Sequence, residues 1–178
     1  MTRTRQWTDP MTRPVLAATV PGTGLEVEVT PTAEERIAMA RALDLASVDR
    51  LKAKYRLTHR SGGIIVLDGT LEADIQPVCV VSLEPFPLRV SETVEMRFIE
   101  EAAASRRKPR PGEEEDVSGD DPPDVMEHGI IDLGHVTTEF LSLSLPIYPR
   151  KPGAAFEKTA EESEKSPFDA LRALKKGE

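Results

Sequence analysis

Leu51-Lys52-Ala53-Lys54-Tyr55-Arg56-Leu57-Thr58 decides the fold. Apolar Leu51, Ala53, Tyr55 and Leu57 alternate with Lys52, Lys54, Arg56 and Thr58. Successive side chains of a strand point to opposite faces, so this period of two puts one face on a core and the other in water. A sheet with one wet face is the mark of antiparallel pairing. Ser61-Gly62-Gly63 then supplies a tight turn. Ile64 to Leu67 and Leu71 to Ile75 read as the returning strand, interrupted by a bulge or bend at Asp68-Gly69. Val78 to Leu83 and Phe86 to Phe98 read as a second hairpin about Glu84-Pro85. Its inward positions are Leu88, Val90, Val94, Met96 and Phe98, and Glu92 at the same parity marks a local irregularity.

Toward the N-terminus, Leu25-Glu26-Val27-Glu28-Val29 alternates in the same way and reads as a half-buried strand. Thr32-Ala33-Glu34-Glu35 is a capping box, in which the Thr32 hydroxyl and the Glu35 carboxylate each satisfy a free backbone N–H. The helix it opens runs to about Leu43 and is expected to bury Ile37, Ala40 and Leu43. Glu34 and Glu35 lie early and Arg41 late, as the helix dipole favours. Residues 1–14 hold Arg3, Arg5, Trp7 and Arg13 without the apolar run of a secretory signal, and read as a mobile arm.

Toward the C-terminus, residues 100–124 carry almost no apolar content beyond a few alanines and Val117. Such a segment buries too little to offset its ordering entropy and is expected to be a disordered acidic insertion. Its basic run, Arg106 to Arg110, precedes Glu113 to Asp116, so a solvated loop with balanced charge outweighs a contact to RNA phosphate. Gly129-Ile130-Ile131-Asp132-Leu133 then opens a buried helix capped by Asp132, apolar at Leu133, Val136, Phe140 and Leu143 with Leu141 and Leu145 alongside. Pro146 and Pro149 stop it. Residues 151–178 form a polar linker and a short amphipathic helix. There Ser166 is the N-cap, Pro167 the first helical residue, and Phe168, Leu171 and Leu174 an apolar stripe. So short a helix is unstable alone. It either docks back on the domain or enters a partner's groove.

The expected architecture is one α+β domain over residues 15–150, within the ordinary size of a domain. A mainly antiparallel sheet of five or six strands is flanked by two or three helices, with mobile termini. The chain has 178 residues, 39% hydrophobic and 4% aromatic, which allows only a modest core. Its net charge of −8 argues against broad polyanion affinity, and hence against DNA as a partner. No apolar run approaches the ~18 residues of a membrane span. A single cysteine, Cys79, rules out an internal disulfide, and a cytoplasmic location is expected.

Catalytic constellations are missing from the sequence. It has no Gly-rich phosphate loop, no His-Glu-x-x-His and no Gly-x-Ser-x-Gly. His135 follows Asp132 by three residues, which fits a cap beside a solvated imidazole better than an acid–base pair lacking other machinery. Cys79-Val80-Val81-Ser82 has the spacing of a zinc knuckle, but a neutral Ser82 hydroxyl is a poor ligand and a structural zinc wants four. A lone cysteine in an apolar strand reads as a small buried hydrophobe. No cofactor or metal is expected.

Three segments together resemble the YceD-like family of bacteria and plastids, the large ribosomal RNA subunit accumulation proteins. The first is Cys79-Val80-Val81-Ser82-Leu83-Glu84-Pro85-Phe86. The second is Gly129-Ile130-Ile131-Asp132-Leu133 with Glu139, Leu143-Ser144-Leu145-Pro146 and Pro149. The third is Ser166-Pro167-Phe168-Asp169-Ala170-Leu171-Arg172-Ala173-Leu174-Lys175. The resemblance spans roughly residues 48–176. It implies a non-enzymatic role in the synthesis, processing or stability of large-subunit (23S) ribosomal RNA. Ser82 stands where many members have a second cysteine, and Tyr148-Pro149-Arg150-Lys151 holds none, so a metal or redox role does not carry over. The implied partners are ribosomal proteins, a processing factor or the precursor large subunit, with direct rRNA contact left open by the acidic charge. Partner contact is assigned on this basis to Asp132, Leu133, Glu139, Pro146, Pro149, Pro167, Phe168, Leu171 and Leu174. An RNA-processing or small-molecule enzyme whose site forms only in three dimensions is the alternative. An interaction module unrelated to RNA is a third reading.

Overall fold

The computed structural model describes residues 9–107 and 122–156. In chain order its elements are β1 (Pro14–Leu16), β2 (Leu25–Val29), α1 (Ala33–Ala42), β3 (Ser47–Arg60) and β4 (Ile64–Gln76). They continue with β5 (Leu88–Glu100), α2 (Glu101–Arg107), β6 (Asp124–Met126), β7 (Ile130–Asp132) and α3 (Leu133–Leu143). The main sheet has the order β2-β3-β4-β5-β6, and β1 pairs with β7 in a separate two-stranded ribbon. β2 to β5 are antiparallel neighbours, whereas β6 runs parallel to β5. The fold is α+β with a mixed sheet. Parallel neighbours need a crossover, and residues 101–123 supply it.

The alternation of β3 is realised as expected: Leu51, Ala53, Tyr55 and Leu57 are buried while Lys54 and Arg56 are exposed. α3 lies against the apolar face, and its Leu133, Val136 and Leu141 join Leu51, Tyr55, Leu71 and Ile75 in one core. Each such aliphatic side chain contributes about 1.5–3 kcal/mol by leaving water. The Thr32–Glu35 capping box is present in full at the start of α1.

Several expectations are corrected. β4 is continuous through Asp68-Gly69, with Gly69 opposite Tyr55 on one side and Val94 on the other. The glycine serves a close approach: a Cβ there would run into the Lys54 carbonyl oxygen and lie 2.5 Å from Tyr55 Cδ1. The register shift lies instead between Val48 and Arg50. Glu92 is exposed, but its pairing with Leu71 is in register. Val78 to Leu83 forms no strand. It belongs to a loop joining β4 to β5, which pair directly with each other.

Helix faces also differ in detail. Ile37 is exposed and Met39 is buried in its place, because α1 turns Met39 and Ala40 inward. Leu143 is exposed at the last turn of α3, where Leu141 fills the core. The start of the described chain is packed and is not a free arm. Met11 is buried in the core, and β1 pairs with β7. Gly134 makes this possible, since a Cβ there would lie 2.5 Å from the Met11 carbonyl oxygen. Glu101–Arg107, expected to be unstructured, is helical. The rest of the acidic insertion up to residue 121, residues 1–8 and the tail from residue 157 lie outside the described residues.

Candidate interaction site

The described family-type residues fall into two clusters, one at the start of α3 and one where the chain beyond α3 meets the Cys79 loop. At its N-terminus Asp132 Oδ1 accepts three backbone N–H groups: Arg13 at 2.7 Å, Gly134 at 2.8 Å and His135 at 3.2 Å. The expected cap is therefore also a clamp on the N-terminal segment. Arg13 in turn places both guanidinium nitrogens 2.8 Å from the two Glu35 oxygens, a bidentate pair. The Arg13 hydrogen bond, with further backbone and charge contributions, holds the Glu35 carboxyl below the usual carboxylate range. His135 Nδ1 lies 2.9 Å from Asp9 Oδ1, and its Nε2 is 4.0 Å from Glu139. Asp9 raises the His135 pKa against the opposing effect of burial.

At the other end, residues 77–87 fold into a compact loop. Cys79 N–H donates to Glu84 O, Leu83 N–H to Cys79 O and Phe86 N–H to Pro77 O. The Val81 and Ser82 amides both point at Cys79 Sγ from 3.4 Å. A third amide, of Lys151, reaches the same sulfur at 3.3 Å. Val80 N–H donates to Pro149 O at 2.9 Å, and Lys151 Nζ pairs with Glu84 at 2.8 Å. Two chain segments some seventy residues apart thus converge on one sulfur. Hydrogen bonds from the Ser82 side chain and amide, then from the Lys151 amide, lower the Cys79 pKa to about 6. Cys79 is buried as expected, and the Ser82 hydroxyl and the converging amides favour its anion within that buried loop. Ser82 offers no second strong ligand, and among the described residues no three His, Cys, Asp or Glu side chains are placed to share a metal ion.

The same joint carries exposed apolar residues. Leu83, Ile147 and Tyr148 are 77%, 86% and 75% exposed, and Val80 is nearly half exposed. Leu83 holds a positive φ of 58°, a strained conformation for a leucine. In the sequence Val80 and Leu83 stand out only within the Cys79–Phe86 family-type segment, and Ile147 and Tyr148 only beside Pro146 and Pro149.

The assigned contact residues separate accordingly. Leu133 is fully buried at the start of α3. The Asp132 carboxylate is engaged as the cap, while Glu139 and Pro146 are exposed and Pro149 half-buried. Pro167, Phe168, Leu171 and Leu174 lie outside the described residues.

A cleft of about 690 Å³ crosses the wet face of the sheet, lined by Glu26, Glu28, Lys54, Arg56, Asp68 and Glu95 among others. Two of its carboxylates are paired along the surface: Glu26 with Arg56 at 3.2 Å, and Glu28 with Lys52 at 2.8 Å. Thr70 and Thr93 also line it. No helix among the described residues is long and apolar enough to cross a membrane.

The architecture is that of an α+β domain presenting a hydrogen-bonded, apolar edge where the β4–β5 loop meets the segment after α3. Residues 67–175 match the family described as large ribosomal RNA subunit accumulation protein YceD, and the chain belongs to this family. The match takes in β4 from Leu67 onward, the Cys79 loop, β5 and α3. No curated protein and no solved structure matches the chain.

Proposed function

We propose that this protein is a non-enzymatic ribosome-biogenesis factor of the cytoplasm. It supports the synthesis, processing or stability of 23S rRNA through protein or ribonucleoprotein contacts. The family match over residues 67–175 is the observation that supports this reading. The site's chemistry agrees with it: the prominent feature is an exposed apolar edge, which suits a protein partner. With a net charge of −8 and wet-face cations paired to carboxylates, the chain favours ribosomal proteins, a processing factor or the precursor large subunit over naked nucleic acid.

The test is a deletion strain carrying a tagged copy. Large-subunit rRNA is expected to fall relative to small-subunit rRNA on deletion and to recover with the tagged chain, and precursor large subunits are expected to co-purify with it. Unchanged rRNA levels together with a purified fraction free of large-subunit precursors would overturn the reading. Replacing Lys54, Arg56 and Asp68 in the cleft should leave rescue intact. Loss of rescue there, with the fold retained, would favour an enzyme.

A further inference from the structure

For most of its length β5 is paired on one side only. β4 runs along one edge from Leu88 to Ile99, whereas β6 meets the other only at Phe98–Glu100. Between Leu88 and Met96 no described residue forms a ladder or a backbone hydrogen bond with that outer edge. A strand of about 30 Å thus presents a row of N–H and C=O groups, which is a template for another strand.

The side chains along this edge say which strand fits. Glu92 stands on the core-facing row between Val90 and Val94, yet it is exposed, so water reaches that side of the edge. On the opposite row Glu95 lies directly across from Asp68, a like-charge pair that costs stability. Neither Glu92 nor Glu95 has an ion pair among the described residues. Arg89 is engaged on β4, with Glu72 at 3.3 Å and Asp74 at 3.9 Å.

A second copy cannot meet this need. β5 carries cations only at Arg89 and Arg97. Paired strands set residues of the same face side by side, and both arginines lie on the face opposite Glu92. No register of β5 on β5 therefore brings a cation to Glu92. The register that sets Arg89 beside Glu95 of the second copy puts Glu92 against Glu92. An inward-pointing charge of this kind guards an edge against its own likeness.

We propose that the open edge of β5 takes up an extended segment of a basic partner protein. The segment pairs antiparallel along Leu88–Met96, with cationic side chains beside Glu92 and Glu95 and apolar ones beside Val90 and Val94. Backbone pairing supplies the affinity and the two carboxylates select the sequence. A lysine beside Glu95 also offsets its repulsion with Asp68. The inference stands apart from the rRNA role: its test uses purified protein, and either can fail without the other.

The probe is the blocked peptide Val-Lys-Val-Thr-Lys-Thr-Val-Thr-Val, whose lysines fall opposite Glu95 and Glu92 when it pairs from Met96 to Leu88. In the full chain alone, alternate amides of residues 88–96 are expected to exchange rapidly, and the interleaved ones, bonded to β4, slowly. The peptide should slow the rapid set; a scrambled peptide of the same composition should not. Glu92→Lys should weaken binding about tenfold, since an attractive pair becomes a repulsive one. A peptide with glutamate for its central lysine should reverse that preference. Glu95→Lys, which also ends the repulsion with Asp68 and so spares the fold, should weaken the lysine peptide similarly. Slow exchange of every amide across residues 88–96 in the protein alone overturns the proposal. Persistence on dilution would mean cover by the chain itself, and loss on dilution a second copy. Equal binding to the unmodified and both variant chains, or no slowing of the rapid set at millimolar peptide, overturns it as well.

Discussion

The Tyr55 hydroxyl lies 2.8 Å from Thr137 Oγ1, joining the middle of β3 to α3 inside the core. Thr137 Oγ1 donates onward to the Leu133 carbonyl at 2.6 Å, so Tyr55 is the donor in the pair. Both residues are buried.

Tyr55→Phe removes that donor while leaving Thr137 its bond to Leu133. The expected loss is about 0.5–1.5 kcal/mol, read as a lower urea midpoint at unchanged slope. Gly69→Ala should cost more, about 1–3 kcal/mol, because the added methyl meets the Lys54 backbone as well as the Tyr55 ring. Equal costs for the two substitutions would count against the Gly69–Tyr55 packing described above.

Asp132→Ala removes an acceptor for three amides, one of them from Arg13, whereas Thr32→Ala removes an acceptor for one. The cap alone is worth about 0.5–2 kcal/mol. Asp132→Ala is therefore expected to destabilise more than Thr32→Ala and to speed amide exchange at Arg13 and along β1. Asp132→Asn, which keeps one acceptor oxygen, should recover most of the loss.

Cys79 gives a pH dependence of known sign. Its folded pKa is about 6 against an ordinary value of 9.0. Between those values the unfolded chain binds more protons, so stability rises with pH. The contribution is complete above about 9, and is lost as pH falls through 6. Stability of the unmodified protein minus that of Cys79→Ser should climb across this window. A flat difference would show that the amides do not hold a thiolate.

His135 behaves in the opposite sense. Asp9 raises its pKa, so the stabilisation is fully present below the unfolded value of 6.5 and fades as pH rises through the higher folded value. Asp9→Asn should bring the His135 titration, followed by proton NMR, back toward 6.5. An unchanged midpoint would mean that Asp9 is not the cause.

What could be read ahead of the structure was local. The β3 alternation, the Thr32–Glu35 box and the Asp132 cap each lie within a few residues, and the backbone geometry they impose does not depend on distant chain. Gly69 is the opposite case. Its role is set by the ring of Tyr55, fourteen positions earlier, and within β4 alone it looks like an interruption. Met11 was missed because its burial depends on Gly134 at the start of α3. Val78 to Leu83 reads as a strand from its apolar content, yet its amides turn inward to the Cys79 sulfur and outward to Pro149. The exposed edge at Leu83, Ile147 and Tyr148 has no periodic signature because its residues come from two loops.

The ribbon of β1 and β7 also fixes an order of events during synthesis. Met11, although among the first residues made, has no place to pack until α3 has emerged. β2 to β5 are complete at Glu100, while Leu141 follows 41 residues later. At about 5–20 residues per second, the nascent sheet waits roughly 2–8 seconds with Leu51, Tyr55 and Leu71 uncovered. A ribosome making this protein thus carries, for that interval, a half-built domain whose apolar side still lacks its covering helix.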